Sequence, residues 1–253
     1  MTMATTRQKI LITGASSGLG EGMAREFATL GRDLALCARR TDRLEQLATE
    51  LRSARPGIRV AVRALDVNDH DAVFRVFGEL RDELGGIDRV IANAGLGKGQ
   101  PLGTGSFEAN RQTAETNVIG LLAQCEAALD IFHAQDSGHL VVMSSVSAVR
   151  GMRGNITTYA ATKAAAASLA EGIRMQHLRS PIAVTTIMPG YIESEMTAQA
   201  PRTPLMTDAR SGARALVKAI EREPAKAYVP GWPWTVLAQV MRFAPLGVVR
   251  RLS

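Results

Sequence analysis

Tyr159 and Lys163 stand four residues apart in Tyr-Ala-Ala-Thr-Lys. On a helix that spacing puts both side chains on one face, one turn apart. A free tyrosine titrates near ~10, too high to exchange protons readily at neutral pH, so one used as an acid or base needs a cation to stabilise its phenolate. Lys163 is the candidate cation. The pair opens an alanine-rich helical stretch, residues 159–178, directly after an apolar run at 139–143 and the loop Ser144-Ser145-Val146-Ser147. A proton could therefore be moved where a parallel strand ends, the place at which such sheets bind their ligands.

Those residues need a frame, and the sequence supplies one. Residues 9–13 are a short apolar run followed by Thr-Gly-Ala-Ser-Ser-Gly-Leu-Gly over 13–20. The segment 21–30 then carries Met23, Phe27 and Leu30 at helical spacing. Strand, tight turn and helix in that order form a site where backbone approaches a pyrophosphate and helix N–H groups receive it. Gly14, Gly18 and Gly20 suit the turn and the close approach. Further apolar runs at 34–38, 59–65, 89–92, 139–143 and 183–188, with a weaker one at 225–229, alternate with helical patterns at 41–53, 69–84, 111–134, 159–178 and 207–221. Gly31, Gly57 and Gly138 are read as helix stops and turns. The expected fold class is α/β, a doubly wound parallel sheet (Rossmann fold) in three α/β/α layers.

Arg39 and Arg40 follow the second strand, where this fold presents a side chain to the adenosine ribose. An acid there would bind the hydroxyls of NAD(H), whereas arginine can pair with the 2′-phosphate of NADP(H). NADP(H) is therefore the expected cofactor, with NAD(H) second.

The chain has 253 residues, 46% apolar and 21% charged, with no linker to divide it, so one nucleotide-binding domain over 1–253 is expected. The first eight residues lack the apolar stretch of a signal peptide, and Cys37 and Cys125 sit in apolar periodic segments as buried thiols. Both point to a cytoplasmic protein. Net charge is +6, but Lys and Arg are scattered and no nucleic-acid module is present, so no nucleic-acid partner is expected. His70, His133, His139 and His177 have no ligand spacing, and no metal site is expected.

Together, Thr13 to Gly20, Asp66-Val67, Asn93-Ala94-Gly95, Asn117, Ser144-Ser145, Tyr159 with Lys163, and Pro189-Gly190 resemble the short-chain dehydrogenase/reductase family, over nearly the whole chain and in the family's order. The resemblance implies that Tyr159 is the general acid or base and that Lys163 lowers its pKa and binds the nicotinamide ribose. It implies that Ser145 polarises the substrate oxygen and that Asn117 anchors a proton-relaying water. Asp66, with Val67, would meet the adenine, and Asn93, Ala94 and Gly95 would shape the cofactor pocket. Ser16, Ser17 and Leu19 would complete the glycine turn; Pro189, Gly190, Ile192 and Ser194 would line the carboxamide side. Two helices, 111–134 and 159–178, resemble the pair through which the family forms homodimers and homotetramers.

Three departures stand out. The family's usual serine position is Val146 here, leaving Ser145 and Ser147 as candidates, with Ser145 preferred as the second serine of the strand-ending pair. Ser194 stands where threonine is usual. The usual glycine-rich ending is replaced by Tyr-Val-Pro-Gly-Trp-Pro-Trp at 228–234. The tail 234–251 alternates apolar residues with Arg242, Arg250 and Arg251, a pattern that suits packing over the substrate mouth, a partner subunit or a membrane surface. The expected activity is hydride transfer between NADP(H) and a carbonyl or secondary alcohol of a mostly apolar substrate. The alternatives are a non-catalytic NADP-binding regulatory or scaffold protein and an NAD-linked oxidative dehydrogenase.

Overall fold

A computed structural model describes residues 6–197 and 205–252. Residues 1–5, 198–204 and Ser253 lie outside the described residues, as do the side chains of Arg251 and Leu252.

Strands β1 (Lys9–Thr13), β2 (Asp33–Ala38), β3 (Val60–Ala64), β4 (Arg89–Ala92), β5 (Gly138–Met143), β6 (Ile182–Pro189) and β7 (Lys226–Val229) form one sheet in the order β3-β2-β1-β4-β5-β6-β7. Every neighbouring pair is parallel. Between them run α1 (Gly18–Thr29), α2 (Thr41–Ala54), α3 (His70–Leu84), α4 (Phe107–Ala114), α5 (Gly120–Gln135), α6 (Thr157–Gln176) and α7 (Ala209–Ile220). Successive strand residues point to opposite faces, so two apolar layers are needed. Ile10 and Ile12 join Met23 and Phe27 of α1, Leu44 of α2 and Leu216 of α7 in one core. Leu11 and Val90 join Phe77 of α3, Phe132 of α5 and Ala170 of α6 in the other. The expected doubly wound fold is borne out, and strand order reverses between β1 and β4, which opens a crevice at their carboxyl ends.

The details differ in three places. The helix expected over 111–134 begins earlier, at Phe107, and widens into a π-helical turn at Glu115–Ile119 between α4 and α5. Gly138 is not a helix stop: Asp136 takes the left-handed capping conformation of α5, and Gly138 begins β5 packed on the Phe132 ring. The last helix of the alternation starts at Ala209 because the Asp208 carboxylate accepts the Ser211 N–H at 2.8 Å and caps it.

The opposite end of the sheet is closed by buried charge. Arg89, almost fully buried, pairs with Glu221 and Glu223 and donates to His139 Nδ1 at 2.8 Å. Burial first, and then the Arg89 charge, push His139 well below the ordinary histidine pKa, so it sits neutral as an acceptor. His139 is a structural residue.

The C-terminal tail forms α8 (Gly231–Phe243) and α9 (Leu246–Leu252), separated at Pro245. Trp234 anchors it, 7% exposed and edge-on to Tyr191 at 5.4 Å between ring centroids. A Cβ on Gly190 would lie 2.1 Å from Trp234 Nε1, so only glycine lets the indole seat against the end of β6. Trp232, Val236, Val240, Phe243 and Leu246 stay exposed. Among the described residues, no helix is long and apolar enough to cross a membrane.

Candidate active site

The crevice at the strand ends is a cavity of about 430 Å³, and the sequence-derived residues collect around it. At its floor, Gly14 has φ +63, and a Cβ there would come within 2.9 Å of Ala94 Cα. Thr13 holds the two chain segments together. Its hydroxyl accepts the Asn93 and Ala94 N–H groups, both at 2.9 Å, and donates to Gln124 at 2.7 Å. Asn93 Nδ2 returns a bond to the Thr13 carbonyl at 2.9 Å. The glycine turn is thus fixed against 93–95, with Ser17 at the N-cap of α1.

One end of the cavity is cationic. Arg39 and Arg40 both line it, but they are used differently. Arg40 donates to Ser17 Oγ at 2.6 Å and Ser16 Oγ at 3.3 Å. Arg39 is largely exposed and lies 3.8 Å from Asp66. Asp66 also accepts the Asn68 N–H at 3.0 Å, which turns the chain after β3 and leaves Val67 buried behind the crevice.

At the other end are the groups that could move a proton. Tyr159 stands in the first turn of α6, and burial raises its pKa above the ordinary 10, partly offset by a hydrogen bond with Ser145. Ser145 lies two residues beyond β5 and, of the two candidate serines, is the one that lines the cavity with the tyrosine. Ser147 stands behind it, donating its hydroxyl to Ser145 Oγ at 3.0 Å and its N–H at 3.2 Å. Ser144 ties β5 to α6 by donating to the Lys163 carbonyl at 2.7 Å.

Lys163 is 7% exposed, its Nζ donates to the Met143 carbonyl at 2.9 Å, and it lies 5.7 Å from the Tyr159 ring centroid. Burial pulls its pKa down to about 8. Burial thus moves the tyrosine pKa upward, opposite to the depression that the resemblance implies, and the offset comes from Ser145.

Asn117 and Gly20 do not line the cavity. Asn117 lies behind it in the π-helical turn, 2% exposed, accepting the Leu96 N–H and donating to the Leu96 carbonyl, each at 2.8 Å. A Cβ on Gly95 would meet Asn117 Oδ1 at 3.2 Å and Lys163 Nζ at 3.3 Å. Gly20 sits under the turn, against the Gly14 carbonyl and Asn93. Gly14, Ser16, Ser17, Gly18, Leu19, Asp66, Val67, Asn93, Ala94, Gly95, Pro189, Gly190, Ile192 and Ser194 all line the cavity. Glu195, Met196 and Thr197 also line it; sequence reasoning gave no role to the Glu195 carboxylate or to Arg43, which reaches it.

A parallel sheet whose first strand feeds a glycine turn, with a tyrosine, lysine and serine at the far end of the same crevice, defines an α/β dinucleotide-binding fold. Residues 8–204 match the family model described as short chain dehydrogenase, and the chain belongs to that family of oxidoreductases. It is 57% identical over its full length to an uncharacterized oxidoreductase of Mycobacterium tuberculosis, covering all of that protein. A 34% identical stretch covers 74% of this chain and 73% of an NADP-dependent 3-hydroxy acid dehydrogenase of Schizosaccharomyces pombe. Among solved structures, an alcohol dehydrogenase of the archaeon Thermococcus sibiricus complexed with 5-hydroxy-NADP is similar at TM-score 0.78 and 28% identity, over 87% of this chain and 95% of that one.

Proposed function

We propose that the protein is an NADP(H)-dependent carbonyl reductase or alcohol dehydrogenase acting on a mostly apolar carbonyl or secondary alcohol. The observation that carries this reading is Tyr159 lining one crevice together with Ser145, the glycine turn and buried Lys163, whose Nζ lies 5.7 Å from the Tyr159 ring centroid. The crevice fits a dinucleotide: its floor is backbone at Gly14, where a Cβ would come within 2.9 Å of Ala94 Cα, and at Gly95, and one end carries Arg39, Arg40, Ser16 and Ser17. Those last four would meet a 2′-phosphate. The names of the fission yeast relative and the archaeal structure agree with that cofactor.

Bound there, the cofactor supplies or accepts a hydride at its nicotinamide. The chain's part is the proton. Tyr159, protonated through neutral pH because burial raises its pKa, gives its proton to the substrate oxygen in reduction and takes it back in oxidation. Ser145 donates to that oxygen and holds it in line, its own oxygen oriented by Ser147. Lys163 puts positive charge beside the phenolate as it forms, and Asn117 keeps loop residue Leu96 in register beneath. A panel of ketones and aldehydes with NADPH tests this. Turnover lost in Tyr159→Phe supports it, and turnover retained by that variant refutes the role of Tyr159.

The same reading includes assembly and location. Ile119, Leu122, Met175 and Leu178 are exposed apolar residues in or beside the π-turn, α5 and α6, which suits a homodimer or homotetramer built on those helices. Light scattering on the purified protein tests it. The cytoplasm is the proposed location. A peripheral membrane contact through α8 and α9 is favoured by exposed Trp232, Phe243 and Leu246 flanked by Arg242, and vesicle flotation with and without anionic lipid tests that.

A further inference from the structure

The cationic end of the crevice is occupied by the chain itself. Glu195 comes from the segment after β6, more than 150 residues from the arginines it meets. Its carboxylate accepts Arg43 Nη1 at 2.5 Å, Arg40 Nη2 at 3.1 Å and Arg40 Nη1 at 3.4 Å. Ser17, whose Oγ is 2.6 Å from Arg40 Nη2, is a further hydrogen-bond partner of the same carboxylate. Two guanidinium groups and a hydroxyl at a helix N-cap form a donor set suited to a phosphate monoester. A single carboxylate satisfies it here. Those contacts hold the Glu195 pKa down to about 2, so it is an anion throughout the working range.

Resting on the NADP(H) reading above, we infer that Glu195 is a built-in competitor for the cofactor's 2′-phosphate. The phosphate takes Arg40, Arg43 and Ser17 by displacing this carboxylate. A dianion outbids one carboxylate for two arginines, and the two anions repel each other if both stay. NAD(H) carries no such group and leaves Glu195 where it is. Glu195 therefore sets how far NADP(H) is preferred over NAD(H). Its position ties that choice to the substrate side: Ser194 lies 3.3 Å from a Cβ on Gly18, while Met196 Sδ lies 3.2 Å from a Cβ on Gly97, a point 3.9 Å from the Tyr159 ring. Displacing Glu195 moves a wall of the crevice between glycine turn and tyrosine.

The test titrates wild type, Glu195→Gln and Glu195→Ala with NADPH, NADH, adenosine 2′-monophosphate and adenosine 5′-monophosphate. Both variants should bind NADPH and the 2′-monophosphate about fivefold more tightly, the size of a screened surface ion pair, and the other two ligands within about twofold of wild type. Unchanged or weaker NADPH binding in the variants, with wild-type preference for the 2′-monophosphate intact, would show that Glu195 only holds the arginines in place and would overturn the inference alone. A wild type indifferent to the position of the phosphate would overturn the NADP(H) reading and this inference with it.

Discussion

Lys163→Met should make the protein more stable at neutral pH while removing turnover. The ammonium group is buried, with the Met143 carbonyl at 2.9 Å as its hydrogen-bond acceptor, and burial brings its pKa from 10.5 to about 8. At about 1.4 kcal/mol per pKa unit, holding the charge inside costs the folded state about 3 kcal/mol at pH 7. Methionine has similar length and no charge, and the carbonyl left without a donor takes back about 1 kcal/mol. The variant should gain about 2 kcal/mol in urea unfolding at pH 7. The sign depends on pH. Because the folded pKa is the lower one, the penalty is complete below pH 8 and fades between about 8 and 10.5, as folded Lys163 releases its proton before the unfolded chain does. Near pH 10 the two proteins should be about equally stable. A variant less stable than wild type at pH 7, or a stability gap identical at pH 7 and pH 10, would refute the desolvated lysine.

Tyr159→Phe should lower kcat by about 10²–10⁴-fold with cofactor binding retained, the usual contribution of a positioned acid, as single-turnover rates would report. Arg40→Ala should weaken NADPH by about tenfold and NADH far less, since it removes a charge-assisted partner of the phosphate; equal losses for both would contradict the subsite. Asn117→Ala breaks buried bonds to Leu96 N–H, the Leu96 carbonyl and Thr162, and should cost about 3 kcal/mol of stability by thermal unfolding. Gly190→Ala would force the Trp234 indole from its seat, expected as red-shifted tryptophan fluorescence and about 2 kcal/mol lost.

Periodicity revealed the sheet because its strands are buried on both faces: Leu34, Ala35, Leu36 and Cys37 read as one apolar run since each meets one of two helical layers. The glycine turn was legible because Gly14 needs a positive φ and an open side against Ala94, which no other residue type provides. Less visible was whatever depends on segments far apart in the chain. Glu195 meets Arg40 and Arg43 only after β6 has crossed the sheet, and an acid after Ser194 carries no periodic mark. The π-helical turn at Glu115–Ile119 is one added residue per turn inside an otherwise regular helix pattern, and that pattern hides it. The pattern around Trp234 left lipid, partner and packing readings open, and the missing side chain at Gly190 is what seats the indole on the protein. Of Ser145 and Ser147, it is Ser145 that lines the cavity with Tyr159, a placement that spacing alone could not decide.

The most direct test of the central claim is titration of the purified wild-type protein with NADPH and with NADH, followed by nicotinamide fluorescence. NADPH should bind at least about tenfold more tightly, the worth of one or two charge-assisted bonds to the 2′-phosphate. Equal binding, or a preference for NADH, would contradict the account at the arginine end of the crevice, and binding of neither would contradict it throughout.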